Sequence, residues 1–388
     1  MIKINIAEDC CGCSACLSIC NHNAIDFKID AEGFKYPIIK ENKCTHCGLC
    51  EMVCPILYRK NKSINPTQKA YFAARHKDAI TLQNSSSGGV FIAIAEYVIK
   101  QRGVVCGVEY DENGEVRHGF SETMEGIKRF MGSKYVQSEI EGIYNQIKMY
   151  LKSNRLVLFT GSPCQVEGLN LFLRRPYTNL LTIDLVCHAV PSPLLYKQYI
   201  RLCSKRLGQK IISIDMRYKK TYGWSHRFSY CFHFENGHRT VDPIQVVNWG
   251  RLFFSQMINR PSCHSCRYSN LDRPGDFTIA DFWDDKKSRP DLYSREGTSL
   301  LMVNTNMGIS LVDKLCSSIN LWEITKDEAM QPCLIRPTSP NLKRQEFWKF
   351  YFLNGFDATY NKYFADSQYL VVKRFIKHFI DRMSKRSK

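Results

Sequence analysis

"CTHCGLCEMVCP" occupies residues 44–55. Its cysteines, Cys44, Cys47, Cys50 and Cys54, stand at C-x₂-C-x₂-C-x₃-C, and Pro55 follows the last. The same spacing runs through "CCGCSACLSIC" at 10–20, as Cys10, Cys13, Cys16 and Cys20. With 18 cysteines in 388 residues, three more at set offsets from a given cysteine arise by chance about once in ten thousand. A pattern that rare, occurring twice in 60 residues, marks a metal-thiolate module.

Three cysteines at three-residue spacing wrap a loop around one face of a four-iron cube. The fourth starts a helix that leads toward a second cube. The doubled run resembles the two-cluster bacterial ferredoxins, in which that fourth cysteine ligates the other cluster. The expected sets are therefore Cys10, Cys13, Cys16 and Cys54 for one [4Fe–4S] cluster, and Cys44, Cys47, Cys50 and Cys20 for the other. Between the runs, "AIDFKIDAEGFKYPII" alternates apolar and polar residues about an "AEG" turn and predicts a β-hairpin. Asn21 stands where proline usually follows the fourth cysteine, and Cys11 is spare. Two zinc sites are the disfavoured alternative.

Outward from this module the charge changes. The first 60 residues balance seven Lys/Arg against seven Asp/Glu, yet the whole chain carries +17 and the last 16 residues alone contribute +6. A basic surface suits an acidic cofactor, an acidic protein or anionic lipid. Nucleic acid is not expected, because no groove- or base-reading motif is present. The start "MIKINIAEDC" has no apolar leader core, and no apolar run reaches bilayer length. With so many cysteines this predicts a reducing, cytoplasmic setting and thiolate chemistry rather than disulfides.

A polar linker, "LYRKNKSINPTQK" (57–69), precedes alternating strand and helix patterns. "AYFAAR", "RLVLFTG" and "NLLTIDLVC" read as strands, and "VVCGVEYDENGEVRHGF" as a strand–turn–strand. "GGVFIAIAEYVIKQRG", "EIEGIYNQIKMYLKSN", a segment from about Gln165 and "PLLYKQYIRLCSKRLG" read as helices. The fold class is thus an α+β ferredoxin module followed by an α/β domain. No G-x-G-x-x-G follows a strand and no Walker motif is present. "NSSSGGVF" (84–91) sets hydroxyls and two glycines at a helix start, which suits either a phosphate or an ordinary N-cap. "GSKYVQS" (132–138) puts a cation, an aromatic ring and hydroxyls in a loop. Cys164 and Cys187 end two strands that fit as parallel neighbours, and Cys263 and Cys266 form "CHSC". Together these four make either a zinc site or a further cluster. Cys106, Cys203, Cys231, Cys316 and Cys333 read as core thiols.

"SSSGGV", "GSKYVQS", "TGSPCQVEGL", "DLVCHAVPSP" and "RPSCHSCRYSNLDRPGDFTIADFW" resemble, in this order, the beta subunit of coenzyme F420-reducing hydrogenases and dehydrogenases. With the ferredoxin module the resemblance covers about residues 1 to 340. It implies FAD and iron–sulfur clusters, passing electrons to or from an organic two-electron substrate such as F420. It further implies that Ser85, Ser86, Ser87, Gly88 and Gly89 form a flavin loop, with Ser133, Lys134, Tyr135 and Gln137 a second contact and Thr160, Gly161 and Ser162 lining the same site. Cys164, Cys187, Cys263 and Cys266 are implied to hold a third [4Fe–4S] cluster. "CHAV" and "SPCQ" depart mildly from the family's "CHGV" and "TPCQ".

The domain reading is 1–60 for the ferredoxin, 61–155 for a flavin-binding part, 156–340 for a part with the third cluster, and 341–388 for a basic helical tail. No catalytic acid is evident. His188 is a weak candidate proton donor and reads more readily as a hydrogen-bonded structural histidine. Partners would be a redox protein or a small two-electron carrier. The alternative function is a non-catalytic subunit that delivers electrons to a partner enzyme. In the tail, Val372, Phe375, Ile376, Phe379, Ile380 and Met383 form one helical stripe. They read as a helix docked on its own domain with a solvated basic face, the alternative being contact with an anionic membrane surface.

Overall fold

A computed structural model describes residues 2–58, 69–224, 229–283 and 289–365. Most of the expected linker (59–68) and the whole apolar stripe of the tail lie outside the described residues.

In the first module, each cysteine run closes on a short helix, α1 (Ala15–Ile19) and α2 (Leu49–Met52). The chain enters each through a left-handed residue, Ser14 at φ 64° and Gly48 at φ 74°. These curl the loop between the cysteines. The expected hairpin is present: β1 (Ile25–Ile29) pairs antiparallel with β2 (Lys35–Ile39), Ile25 opposite Ile39. Its turn is held by the Asp30 carboxylate, which accepts from the N–H groups of Glu32 at 3.0 Å and Phe34 at 2.8 Å. Gly33 there is at φ 88°, and a Cβ on it would stand 2.2 Å from Leu194 Cβ, so the turn is pressed against the rest of the protein.

The second part is built on an eight-stranded sheet. Its strands are β3 (Ala70–His76), β4 (Val104–Tyr110), β5 (Val116–Ser121), β6 (Val157–Gly161), β7 (Leu180–Leu185), β11 (Phe277–Asp281), β12 (Ser299–Val303) and β13 (Ile319–Glu323). Their order is β13-β3-β12-β11-β7-β6-β4-β5. The four central strands β11, β7, β6 and β4 run parallel, and the flanking pairings are antiparallel. Residues 61–155 and 156–340 thus contribute strands to one sheet. The excursion between β7 and β11 forms a three-stranded antiparallel sheet of β8 (Ile211–Asp215), β9 (Cys231–Phe234) and β10 (Arg239–Val241).

Strand alternation decides which helices cover each face. In β6, Leu158 points to a core shared with α4 (Val90–Lys100), reached through α3 (Ala79–Asn84). Val157 and Phe159 point to the opposite core, built on α5 (Ile143–Lys152) and α6 (Pro163–Leu173). The first module joins that second core through Cys13, Ala15, Ile19 and Val53. Helix α6 starts two residues before the expected Gln165. Pro163 occupies its first turn, and Ser162 and Gln165 form a reciprocal capping box.

Helix α7 (Pro193–Leu207) starts at Ser192, whose hydroxyl also donates to the Glu32 carbonyl of the ferredoxin hairpin. The remaining helices are α8 (Trp249–Phe253), α9 (Asn306–Leu315), α10 (Lys326–Ala329) and α11 (Arg344–Tyr363). Helix α9 packs beside α4, and α11 is broken at Gly355, at φ 72°. Arg344 of α11 forms an ion pair with Glu32, clamping the first module from the other side. Two readings of core thiols need correction. Cys106, Cys203 and Cys231 are buried, but Cys316 is exposed where α9 ends, and half-buried Cys333 lies beside His188. The apolar neighbours that suggested burial at Cys316 point into the sheet while the thiol itself does not.

Candidate metal centres and cofactor site

Cys20, Cys44, Cys47 and Cys50 line one small pocket, together with Ile19, Ile25 and Ile39. Two backbone N–H groups point at sulfurs of this set, Ile2 at Cys50 (3.3 Å) and Ala24 at Cys20 (3.4 Å). Such N–H···S contacts stabilise thiolates and tune clusters bound to them. Cys47 is exposed, so this set opens to the surface. Cys10, Cys13, Cys16 and Cys54 group separately and deeper. Burial raises the Cys16 thiol far above its ordinary value, and Cys10 and Cys54 add to the rise. Burial likewise raises Cys54, with Cys10 adding. Thiols gathered out of water in this way resist ionising alone and become thiolates when a metal group neutralises them. Both groupings cross between the two cysteine runs, and their donor sets fit a thiolate-bound cluster.

The next four cysteines meet at the C-terminal edge of the parallel strands, where open α/β sheets place ligands. Cys164 follows β6 at the start of α6, and Cys187 follows β7 by two residues. Cys263 and Cys266 arrive on the turn Pro261–Ser265 and just after it. Burial raises the Cys187 thiol well above its ordinary value, and Cys263, Cys164, Cys266 and Cys333 raise it further. Among the described residues no group of three or more His, Cys, Asp or Glu side chains is set for a single metal ion, the dicluster cysteines included.

Two features that spacing did not reveal organise this region. The first is Cys11, whose buried thiol lies beside both Cys13 and Cys164 and so joins the two sets. Gly168, one turn beyond Cys164, allows this approach. A Cβ there would lie 3.0 Å from Cys13 Sγ and 3.0 Å from the Tyr144 hydroxyl. The second is the buried pair Arg273–Asp184. Arg273 Nη2 donates to Asp184 Oδ1 at 2.6 Å and to the Leu185 carbonyl at 2.6 Å, while Nη1 donates to the Tyr268 carbonyl. One guanidinium therefore ties the backbone two residues before Cys187 to the backbone two residues after Cys266.

The expected flavin segments meet in part. The Ser86 hydroxyl accepts from Ser133 N–H (2.7 Å) and lies 3.0 Å from Ser133 Oγ. Ser85 donates to the Thr81 carbonyl, and Ser87 to the Thr298 carbonyl. Gly89 caps α4 at φ 83°. Gly88 has a packing reason of its own, since a Cβ would stand 2.1 Å from the Ala74 carbonyl oxygen. Beneath the loop, buried Lys219 donates to the carbonyls of Leu82 (2.7 Å), Ser87 (2.9 Å) and Glu296, and burial pushes its amine down to about 7.

Lys134 donates to the carbonyls of Arg129, Met131 and Gly132. The Tyr135 hydroxyl lies 3.4 Å from Arg217, which pairs with Asp281 at 2.8 Å. Gln137 turns the other way, donating to the Cys11 carbonyl and accepting from Arg260. Thr160 bonds the Cys106 carbonyl, Gly161 ends β6, and Ser162 Oγ sits 3.2 Å from Cys164 Sγ. His188 is held by Gln256 and Cys333 and packs against Phe253 and Phe254, with burial lowering its pKa. That is the surrounding of a structural histidine.

A thiol-rich α+β module docked on a mixed sheet that carries four further converging cysteines defines an iron–sulfur protein. Residues 9–56 match the 4Fe-4S dicluster domain, and residues 154–328 match the C terminus of the coenzyme F420 hydrogenase/dehydrogenase beta subunit. The chain is thus similar, over residues 154–328, to the C terminus of coenzyme F420 hydrogenase/dehydrogenase beta subunits, and it carries a 4Fe-4S dicluster domain at its N-terminal side. It is 24% identical over 195 residues to the F component of the F(420)H(2) dehydrogenase of Methanosarcina mazei, an alignment that takes in 46% of this chain and 53% of that relative. The chain thus matches about half the length of this curated relative. A chain of the xenon-derivatised F420-reducing [NiFe] hydrogenase complex from Methanosarcina barkeri is 17% identical, with a TM-score of 0.44 over 76% of this chain and 90% of that one. No helix among the described residues is long and apolar enough to cross a membrane.

Proposed function

We propose that the chain is an iron–sulfur flavoprotein oxidoreductase. It passes electrons between [4Fe–4S] clusters and, through FAD, an organic two-electron substrate, F420 or a similar carrier. The observation that carries this reading is the series of neighbouring thiols from exposed Cys47 past Cys50, Cys16, Cys13, Cys11 and Cys164 to Cys187 at the sheet edge. In this reading Cys44, Cys47, Cys50 and Cys20 hold the outer cluster and Cys10, Cys13, Cys16 and Cys54 the next. Cys164, Cys187, Cys263 and Cys266 hold the third. When bound, the clusters supply one-electron carriers and FAD supplies exchange between single electrons and pairs.

The chain's own residues do the positioning. Backbone N–H groups of Ile2 and Ala24 hold thiolate sulfurs. Arg273 fixes the third set from two sides. The Ser86–Ser133 contact holds the two flavin-facing segments together, and Lys219 anchors the loop from below. The exposed side of the outer set is where a redox partner would dock.

A non-catalytic electron-transfer role within a larger complex is the second reading, favoured by the exposure of Cys47 and by the relative's description as one part of a dehydrogenase. Flavin separates the two readings. Anaerobically purified protein should contain FAD that a two-electron donor reduces. Ser86→Asp puts a carboxylate where a phosphate would sit and should lower FAD occupancy at least tenfold while leaving iron unchanged. Wild-type protein with iron but no flavin under reconstitution would favour the electron-transfer role. Full flavin occupancy in the Ser86→Asp protein would remove the loop from the site.

A further inference from the structure

Arg260 is fully buried, and among the described residues no carboxylate pairs with its guanidinium. Nε donates to the Cys10 carbonyl at 2.6 Å, Nη2 to the Lys35 carbonyl at 2.8 Å, and Nη1 to Gln137 Oε1 at 3.1 Å. The plane lies 4.5 Å from the Tyr36 ring centroid and 5.2 Å from that of Phe34. Every one of these partners is neutral. A buried cation without an anion is costly. Groups near Arg260 able to carry negative charge include the thiols of Cys10, Cys11, Cys263 and Cys164, with the Tyr36 hydroxyl. The same residue begins the "CHSC" turn, because its carbonyl accepts the N–H of Cys263 at 3.0 Å and its own N–H donates to the Val190 carbonyl at 2.9 Å. Its side chain therefore ends at the first cysteine of the ferredoxin module while its backbone holds the third set.

We infer that Arg260 is the shared counter-cation of the two adjoining clusters and raises the reduction potential of the one held by Cys10. This rests on the cluster assignment proposed above. Reduction adds one electron to a cluster and makes it more negative, so a fixed positive charge in a low-dielectric surrounding favours the reduced form. With polar but uncharged partners around it, the Arg260 field is not cancelled locally and acts on the cluster instead. Arg260 is a positioning and tuning residue in this account, since it reaches the metal group only through the cysteines.

The test is an EPR-monitored redox titration of the full chain. Arg260→Gln removes the charge. Gln137→Glu keeps the arginine but sets a carboxylate against it with almost no change of shape. Both should lower the reduction equilibrium constant of the cluster at Cys10 at least tenfold, which is about 59 mV for one electron. Arg260→Lys should stay within about threefold of wild type. Should Arg260→Gln fail to fold, Gln137→Glu decides the matter alone. Full iron content with unshifted potentials in Gln137→Glu would overturn the counter-cation and leave the cluster assignment standing. Wild-type protein without iron at these cysteines would instead overturn the assignment itself.

Discussion

Cys263→Ala protein should contain one third less iron than the wild type, four atoms out of twelve, if three four-iron clusters are present. The remaining eight belong to the dicluster module, whose thiols do not involve residue 263. Transfer between a one-electron dye and the proposed flavin should slow by at least a factor of ten, because the proposed route from Cys13 and Cys11 to the sheet edge loses its far carrier. Exchange between the flavin and a two-electron substrate should change much less, as that step needs no cluster. If Cys263 is only a packed thiol, the same change costs modest stability and no iron. Iron analysis and the paired assays separate these results.

The second large effect belongs to Arg273→Leu. Arg273 and Asp184 side chains are 1% and 0% exposed, and the pair is 2.6 Å apart. Removing one partner of a buried pair leaves the other charge uncompensated, at a cost of about 3–5 kcal/mol. The carbonyls of Tyr268 and Leu185 lose a donor as well. Unfolding in denaturant should therefore show a loss of about 3 kcal/mol or more. Third-cluster iron should fall with it, since the loop carrying Cys266 is no longer tied to the end of β7. Adding Asp184→Leu to the variant should recover part of the stability but not the iron, because the tie to the loop stays missing. A loss below about 1 kcal/mol in the single variant would show that Arg273 does not hold these segments.

Much of this arrangement was readable from residues that act locally. Cluster cysteines are spaced by the loop that wraps one cube face, so Cys44 to Cys54 announce themselves. The hairpin after Ala24 and the five-residue buried strand at Val157 are equally local, and those expected elements match closely, while α6 starts two residues before the expected Gln165. The parallel neighbours β6 and β7 place Cys164 and Cys187 at one edge, as their strand ends suggested. Strand order was not readable, because β3 pairs with β12 and β13 from the far end of the chain. Arg260 gave no signal either. Its partner Cys10 lies 250 residues away, and an arginine before a proline looks like any surface residue. Cys11 looked spare because its meaning comes from Cys164, which only tertiary packing brings to it.

The central claim is a three-cluster route ending at a flavin, and the direct measurement is iron, sulfide and flavin content of the full chain purified and reconstituted without oxygen. The account predicts twelve irons and twelve sulfides, three clusters of four, with one FAD per chain. Eight irons with no flavin, or one zinc beside eight irons, would contradict it.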